Sequence, residues 1–151
     1  MTPITTRQAV LADIDALAPL LDAYRQFYGK TNDIEAAKAF LLDRFNHAES
    51  ILFLAFEGDK AIGFTQLYPS FSSVSLARVY VLNDLYVESQ FRGKGVGKQL
   101  LNAATEYAKS FAAVRVTLST DIANKTAQSM YESADWKRDT EYFVYHFSMQ
   151  K

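Results

Sequence analysis

The stretch 81-VLNDLYVESQFRGKGVGKQLLNAATEYAK-109 runs from a strand-like segment through Arg92-Gly93-Lys94-Gly95-Val96-Gly97-Lys98 into a helix-like one. Three of the chain's six glycines fall between positions 93 and 97. A strand that enters a glycine-rich turn and continues as a helix makes an anion site. The first N–H groups of the helix have no partner, the helix dipole favours negative charge there, and glycine lets the backbone approach a ligand closely. A plain strand-to-helix turn needs glycine only for its backbone angles. Glycines alternating with Lys94 and Val96, flanked by Arg92 and Lys98, exceed that need.

Two nucleotide loops are excluded by spacing. The P-loop requires G-x-x-x-x-G-K-[S/T]. Here Gly97-Lys98 is followed by Gln99, and Arg92 stands where the leading glycine belongs. The dinucleotide fingerprint requires G-x-G-x-x-G with an acidic residue about 20 positions on. The spacing here is G-x-G-x-G, and the loop follows three predicted strands.

Working outward, residues 3 to 9 read as a short first strand. Asp13 is expected to cap a helix carrying Ile14, Leu17, Leu21, Tyr24 and Tyr28 at helical spacing, ended by Gly29. Asp33 opens a second helix with Ile34, Ala37, Leu41 and Phe45 on one face. The continuous apolar run ILFLAF (51–56) reads as a central strand, and the EGDK turn (57–60) reverses the chain into AIGFTQLY (61–68). A loop, PSFSSVS (69–75), leads to the strand LARVYVLNDLYV (76–87). After the glycine loop a helix is expected over about 95–111, burying Val96, Leu100, Ala104, Tyr107 or Ala108, and Phe111. AVRVTLST (113–120) alternates as a strand, NKTAQSMYESAD (124–135) as a short helix, and EYFVYHFSM (141–149) as a closing strand. The order β-α-α-β-β-β-α-β-α-β predicts one α/β domain (α+β, mixed sheet) over residues 1–151, with no repeat or linker.

Composition narrows the function classes. Nearly half of the 151 residues are apolar, with 9 Tyr and 11 Phe, enough for a real core. Sixteen basic residues against 17 acidic ones give a net charge of −1, without the basic excess of a nucleic-acid binder. The absence of cysteine removes disulfides, thiolate nucleophiles and zinc–thiolate sites together. His47 and His146 lack ligand-spaced partners, so no metal site is expected. No run approaches the ~18 apolar residues of a membrane helix, and the N-terminus lacks a signal-peptide run. A cytoplasmic protein that binds neither membrane nor nucleic acid is the expectation.

The motif that does fit is Q-x-x-G-x-G, Gln90-Phe91-Arg92-Gly93-Lys94-Gly95. It resembles the pyrophosphate loop of the GNAT superfamily, the acetyl-CoA-dependent N-acetyltransferases. LNDLYVESQFRGKGVGKQLL (82–101) resembles that family's fourth strand, loop and third helix without a gap. NKTAQSMYESADW (124–136) resembles its second motif, an Asn, a Tyr seven residues on and a further aromatic. The element order also matches, so the resemblance extends over nearly the whole chain, and it carries closest to the diamine/polyamine and small yeast histone/polyamine subgroup in AYRQFY (23–28) and LNDLYV.

The resemblance implies a fourth strand splayed from the fifth, with the pantetheine arm of acetyl-CoA inserted between them. The backbone of Leu85, Tyr86 and Val87 would bond the pantetheine amides, and a backbone N–H there would polarise the thioester carbonyl. Gln90 opens the motif, the N–H groups of Arg92, Gly93, Lys94, Gly95, Val96, Gly97 and Lys98 would cradle the pyrophosphate, and Asn124 would touch the pantetheine. Tyr131 matches the family tyrosine near the sulfur, where a hydroxyl can protonate a thiolate of pKa about 8.5. The nucleophile must be a neutral amine, and deprotonating an alkylamine of pKa about 10.4 at pH 7 costs roughly 4–5 kcal/mol. Family members that carry Glu-Asp at this point have a direct base; this chain has Asn83-Asp84. Asn83 cannot act as one. Side chains alternate along a strand, so Asp84 is expected on the face opposite Asn83, and a water relay past the pair is the expected route for the proton.

The resemblance places the acceptor among the first two helices and the 68–76 loop. Tyr24, Phe27, Tyr28, Tyr68 and Phe71 stand there with Asp22 and Asp33, a set suited to a small cation. The expected activity is acetyl transfer to a small primary amine. The competing readings are a protein lysine or N-terminal acetyltransferase, and a non-catalytic acyl-CoA-binding sensor. Near-neutral charge weighs against a histone substrate. The aromatic last strand, with Tyr142, Val144 and His146 on one side, is expected to meet a second copy, as a homodimer.

Overall fold

The computed structural model describes residues 2–150, in two compact units, one up to Ser119 and one from Thr120. The first holds β1 (Ile4–Gln8), α1 (Ile14–Phe27), α2 (Ile34–Asn46), β2 (Ile51–Glu57), β3 (Lys60–Ser72), β4 (Ala77–Val87), α3 (Val96–Ser110) and β5 (Arg115–Thr117). The strands form one mixed sheet in the order β1-β2-β3-β4-β5, antiparallel except for the parallel β4–β5 pair. With α4 (Lys125–Ser133) in the second unit, the described residues make the expected mixed α/β architecture with its four helices, but with five strands in place of the six expected, the closing one being absent.

Each face of the sheet buries its own cluster. On one, Leu52, Leu54 and Phe64 pack with Leu17, Leu20, Leu21 of α1 and Leu41 of α2. On the other, Phe53, Ala55 and Ile62 pack with Val96 and Leu100 of α3 and with Phe91. ILFLAF is apolar throughout because both of its faces are covered. Along α3 the buried residues are Val96, Leu100, Leu101, Ala104 and Ala108, while Phe111 lies half exposed beyond its end.

Local differences from the sequence reading have local causes. Asp13 does not cap α1 with its side chain; it accepts from Arg7 Nη1 and Nη2 (2.8 and 2.9 Å) and from the Val10 N–H (2.8 Å), tying β1 to the 3₁₀ turn at Leu11–Asp13. Asp33 does cap α2, accepting from the Ala36 N–H at 3.1 Å. The segment expected as a loop over 69–75 continues as strand to Ser72, because the β3–β4 ladder runs on to Ser72 opposite Ala77. Pro69 fits there since the β2–β3 ladder ends at the Ile51–Leu67 pair and leaves that side of β3 unpaired beyond it. The strand expected over 113–120 is confined to Arg115–Thr117. Residues 141–149 form no strand; Tyr142, Phe143, Val144, Tyr145 and Phe147 are exposed, and a run apolar on both alternating sets has no single face to direct its pairing.

Gly63 sets how closely β3 and β4 approach. A Cβ built on it would lie 2.8 Å from the Tyr86 carbonyl oxygen and 3.4 Å from Leu100 Cδ1. Backbone cannot yield as a side-chain tip can, so Gly63→Ala is expected to lower the unfolding free energy by about 1–3 kcal/mol, read from the denaturant midpoint.

Candidate active site

Arg92 to Lys98 pass from a 3₁₀ turn (Ser89–Phe91) into α3. Gly93 (φ +75°) and Gly95 (φ +81°) hold left-handed angles that L side chains resist, and nothing lies within 4 Å of where their Cβ atoms would be. The glycines are therefore needed for backbone shape and leave open space beside the chain. Gly95 is the N-cap of α3, and no side chain caps the helix. The first-turn N–H groups consequently face outward from an exposed segment carrying Arg92, Lys94 and Lys98. Val96 is buried and anchors this turn to the core.

Among the described residues β4 pairs with β5 only over Val79–Val81, which leaves Leu82 to Val87 as an open edge without a strand neighbour on that side. The Glu88 N–H donates to Ile62 C=O at 2.9 Å. By the alternation of an antiparallel ladder, Val87 and Leu85 turn their polar backbone groups to the open edge, whereas Tyr86 turns its own toward β3. Arg92 Nε bonds the Val87 carbonyl at 2.8 Å, drawing the base of the glycine loop against this edge.

A bulge decides where the carboxylate goes. Gln66 pairs with Asp84 and Leu67 with Leu82, so Asn83 is the extra residue on β4. The expectation that Asn83 and Asp84 point to opposite faces is overturned, since a bulge suspends the two-residue alternation. The two side chains instead touch: Asn83 Nδ2 donates to Asp84 Oδ1 at 2.9 Å. Gln66 Nε2 donates to Asp84 Oδ2 at 2.5 Å, and Thr65 Oγ1 donates to the Asp84 carbonyl at 2.8 Å. Asp84 is only 4% exposed, and burial raises its pKa above the ordinary carboxylate range against the opposing pull of Gln66 and Asn83. Gln66 was missed by the sequence reading, although a glutamine inside the apolar strand AIGFTQLY was the signal. Its Oε1 is buried without a bond among the described residues.

Aromatic rings surround this carboxylate's face of the sheet. Tyr24 packs edge-on to Phe64, Tyr28 and Tyr86 (6.0, 5.1 and 6.3 Å), and its hydroxyl donates to the Asn83 carbonyl at 3.2 Å. Tyr28 and Phe27 are largely exposed, with the Arg92 guanidinium 5.9 Å from the Phe27 ring and 5.6 Å from Tyr86. Tyr68 lies on β3, two residues from Gln66, and burial pushes its hydroxyl well above the ordinary tyrosine range. Phe71 is exposed and stacks on Arg78 at 5.3 Å. Asp22 and Asp33 are spent on structure: Asp22 accepts from the Asp33 N–H and from Gln26 Nε2, joining α1 to α2.

In the second unit Asn124 caps α4, its Oδ1 accepting from the Ala127 N–H at 3.1 Å, which leaves its Nδ2 as the available donor. Tyr131 lies seven residues on, two helical turns along the same side, with its ring 6.3 Å from Trp136. Among the described residues no three His, Cys, Asp or Glu converge as a metal group. His47 Nδ1 lies 2.7 Å from the Asp43 carbonyl, a helix-end contact.

An uncapped helix start entered through glycines, beside a bulged strand without a neighbour on one side, joins an anion site to an unpaired backbone edge. The profile described as the acetyltransferase (GNAT) family matches residues 17–136, and the chain belongs to that family. It is 46% identical over 139 residues, 92% of this chain and 93% of the relative, to the "Uncharacterized N-acetyltransferase YhfO" of Bacillus subtilis (strain 168). It is 33% identical to the "Probable acetyltransferase" of Haemophilus influenzae, covering 91% of this chain and 92% of that one. A crystal structure of a probable acetyltransferase superposes with a TM-score of 0.92 at 40% identity, over 97% of this chain and 99% of the other. The chain is thus an acetyltransferase of the GNAT type, a family that uses acetyl-CoA.

Proposed function

We propose that the protein transfers the acetyl group of acetyl-CoA to the primary amine of a small molecule in a ternary complex. The observation that carries this reading is the bulge at Asn83, which sets the buried Asp84 carboxylate on the aromatic-walled face beside the open edge of β4. In the reaction the amine nitrogen attacks the thioester carbon, the C–N bond forms, the C–S bond breaks, and the thiolate leaves with a proton. The nitrogen gives up one proton in exchange.

The pyrophosphate is cradled by the outward N–H groups of Arg92 to Lys98, with Gln90 opening the turn. The pantetheine amides bond the open-edge backbone of Leu85 and Val87, with Tyr86 contributing its ring to the wall. An N–H of that edge polarises the thioester carbonyl. Asp84 takes the amine proton through a water relay, oriented by Asn83. For the second unit by itself, the family motif supports Asn124, the N-cap of α4, as a pantetheine contact through Nδ2 and Tyr131, seven residues on, as the proton donor to the leaving thiolate. Tyr24, Tyr28, Tyr68 and Phe71 supply ring faces for a small cation. No membrane or nucleic-acid partner is proposed, and the cytoplasm is the proposed location.

The test is thiol release from acetyl-CoA across a panel of primary amines, lysine peptides and peptide N-termini. Turnover of peptides in preference to every small amine would replace this reading with a protein acetyltransferase. Tight CoA binding without turnover of any amine would replace it with a sensor. The exposed Tyr142, Phe143, Val144, Tyr145 and Phe147 support a homodimer in which a second copy covers this run. Sedimentation at micromolar concentration is expected to give twice the 17.0 kDa chain mass; a monomer would contradict it.

A further inference from the structure

A cavity of about 560 Å³ opens between α2 and β3, lined by Phe40, Arg44, Ala48, Glu49, Tyr68 and Pro69. Its cation is held in a defined pose. The Arg44 guanidinium lies over the Phe40 ring at 4.6 Å, and its Nε donates to Glu49 Oε1 at 3.1 Å. Only a quarter of the side chain is accessible. With the Nε–H committed, the Nη1/Nη2 fork is the end left for a ligand, and that fork matches the two oxygens of a carboxylate.

The cavity lies along the same strand face as the buried carboxylate of the proposed reaction. Tyr68, in its wall, and Gln66, which holds Asp84, are two apart on β3 and share one face, about 7 Å along the strand. The Tyr68 hydroxyl feels both charges, Asp84 disfavouring its ionisation and Arg44 favouring it. One tyrosine is therefore flanked by a group that attracts an ammonium and a group that attracts a carboxylate. A simple alkylamine or polyamine would use only the first of these.

We infer that the Arg44 cavity binds a carboxylate carried by the acceptor, so that the acceptor class is a free amino acid, its amine turned toward Asp84 and its carboxylate paired with the Arg44 fork. This deepens the N-acetyltransferase reading and rests on it. The product is the N-acetylamino acid, with the same exchange of bonds and protons as above. Glu49 is a positioning residue, fixing the edge of the guanidinium that the ligand does not use.

Matched pairs test it: an amino acid against the same amine lacking the carboxylate, such as phenylalanine against phenethylamine and 5-aminopentanoate against pentylamine. Wild type is expected to favour the carboxylate-bearing member by about 10–100-fold in kcat/KM. In Arg44→Gln that preference is expected to vanish through KM, while turnover of the carboxylate-free amine is retained, which also shows that the variant is folded. Equal use of both members by wild type, or equal loss of both in the variant, overturns the inference. A second readout does not need turnover: calorimetric binding of an N-acetylamino acid and of its carboxamide in the presence of CoA. Binding that requires both the carboxylate and Arg44, with no amine turned over, keeps the subsite and overturns the catalytic reading. Binding indifferent to Arg44 overturns the subsite.

Discussion

Replacing Asp84 with asparagine is expected to lower kcat by about 10²–10⁴-fold, the usual contribution of a positioned general base. The substitution is nearly isosteric and keeps an acceptor for Gln66 Nε2, while Asn83 turns its amide to offer its oxygen to the new N–H2. The diagnostic readout is the pH profile. In wild type, kcat/KM rises with pH as Asp84 ionises, over a range displaced above ordinary carboxylates by burial. In Asp84→Asn that limb disappears. Full activity with an unchanged profile would remove Asp84 from the reaction.

Stability provides an independent check with a defined sign. The folded-state pKa of Asp84 is raised above its unfolded value, so its stabilising contribution is present below the unfolded value, about 3.9, and is lost as pH rises through the folded value. Above that window wild type holds a desolvated carboxylate that the asparagine variant lacks. Asp84→Asn is therefore expected to gain stability relative to wild type as pH climbs through it, measured by denaturant midpoints at fixed ionic strength. A variant that is less active yet no less stable separates chemistry from folding.

Tyr131→Phe is the second large effect, expected to lower kcat by about 10²-fold with the KM for acetyl-CoA little changed. The hydroxyl matters only as the C–S bond breaks, because a thioester sulfur gains little from a donor and a thiolate gains much. Acyl donors whose thiol leaving group is more acidic should be less sensitive to the substitution. Loss through KM alone, or equal sensitivity for all donors, would assign Tyr131 to binding instead.

Much of the first unit is legible in the sequence. ILFLAF, the EGDK turn and the alternation into LARVYV specify antiparallel neighbours by local rules, and the run RGKGVGK specifies left-handed turns entering a helix. The periodicity of Val96, Leu100 and Ala104 defined the buried face of α3, but Phe111 fell outside it because the helix ends at Ser110. The closing segment EYFVYHFSM has strong strand propensity and forms no strand, since propensity without a partner edge leaves the ladder unmade.

What the sequence by itself determined is the glycine loop and its position between strand and helix, because φ angles near +75° and an uncapped helix start depend on a few adjacent residues. What only the tertiary structure decided is the face that Asp84 occupies. LNDL reads as uninterrupted alternation, and the extra residue emerges only when Gln66 on β3 takes Asp84 as its partner while Leu67 takes Leu82. Register between strands is set by long-range pairing, and the bulge it creates puts the carboxylate, Gln66, Tyr68 and the Arg44 cavity along one side of the sheet.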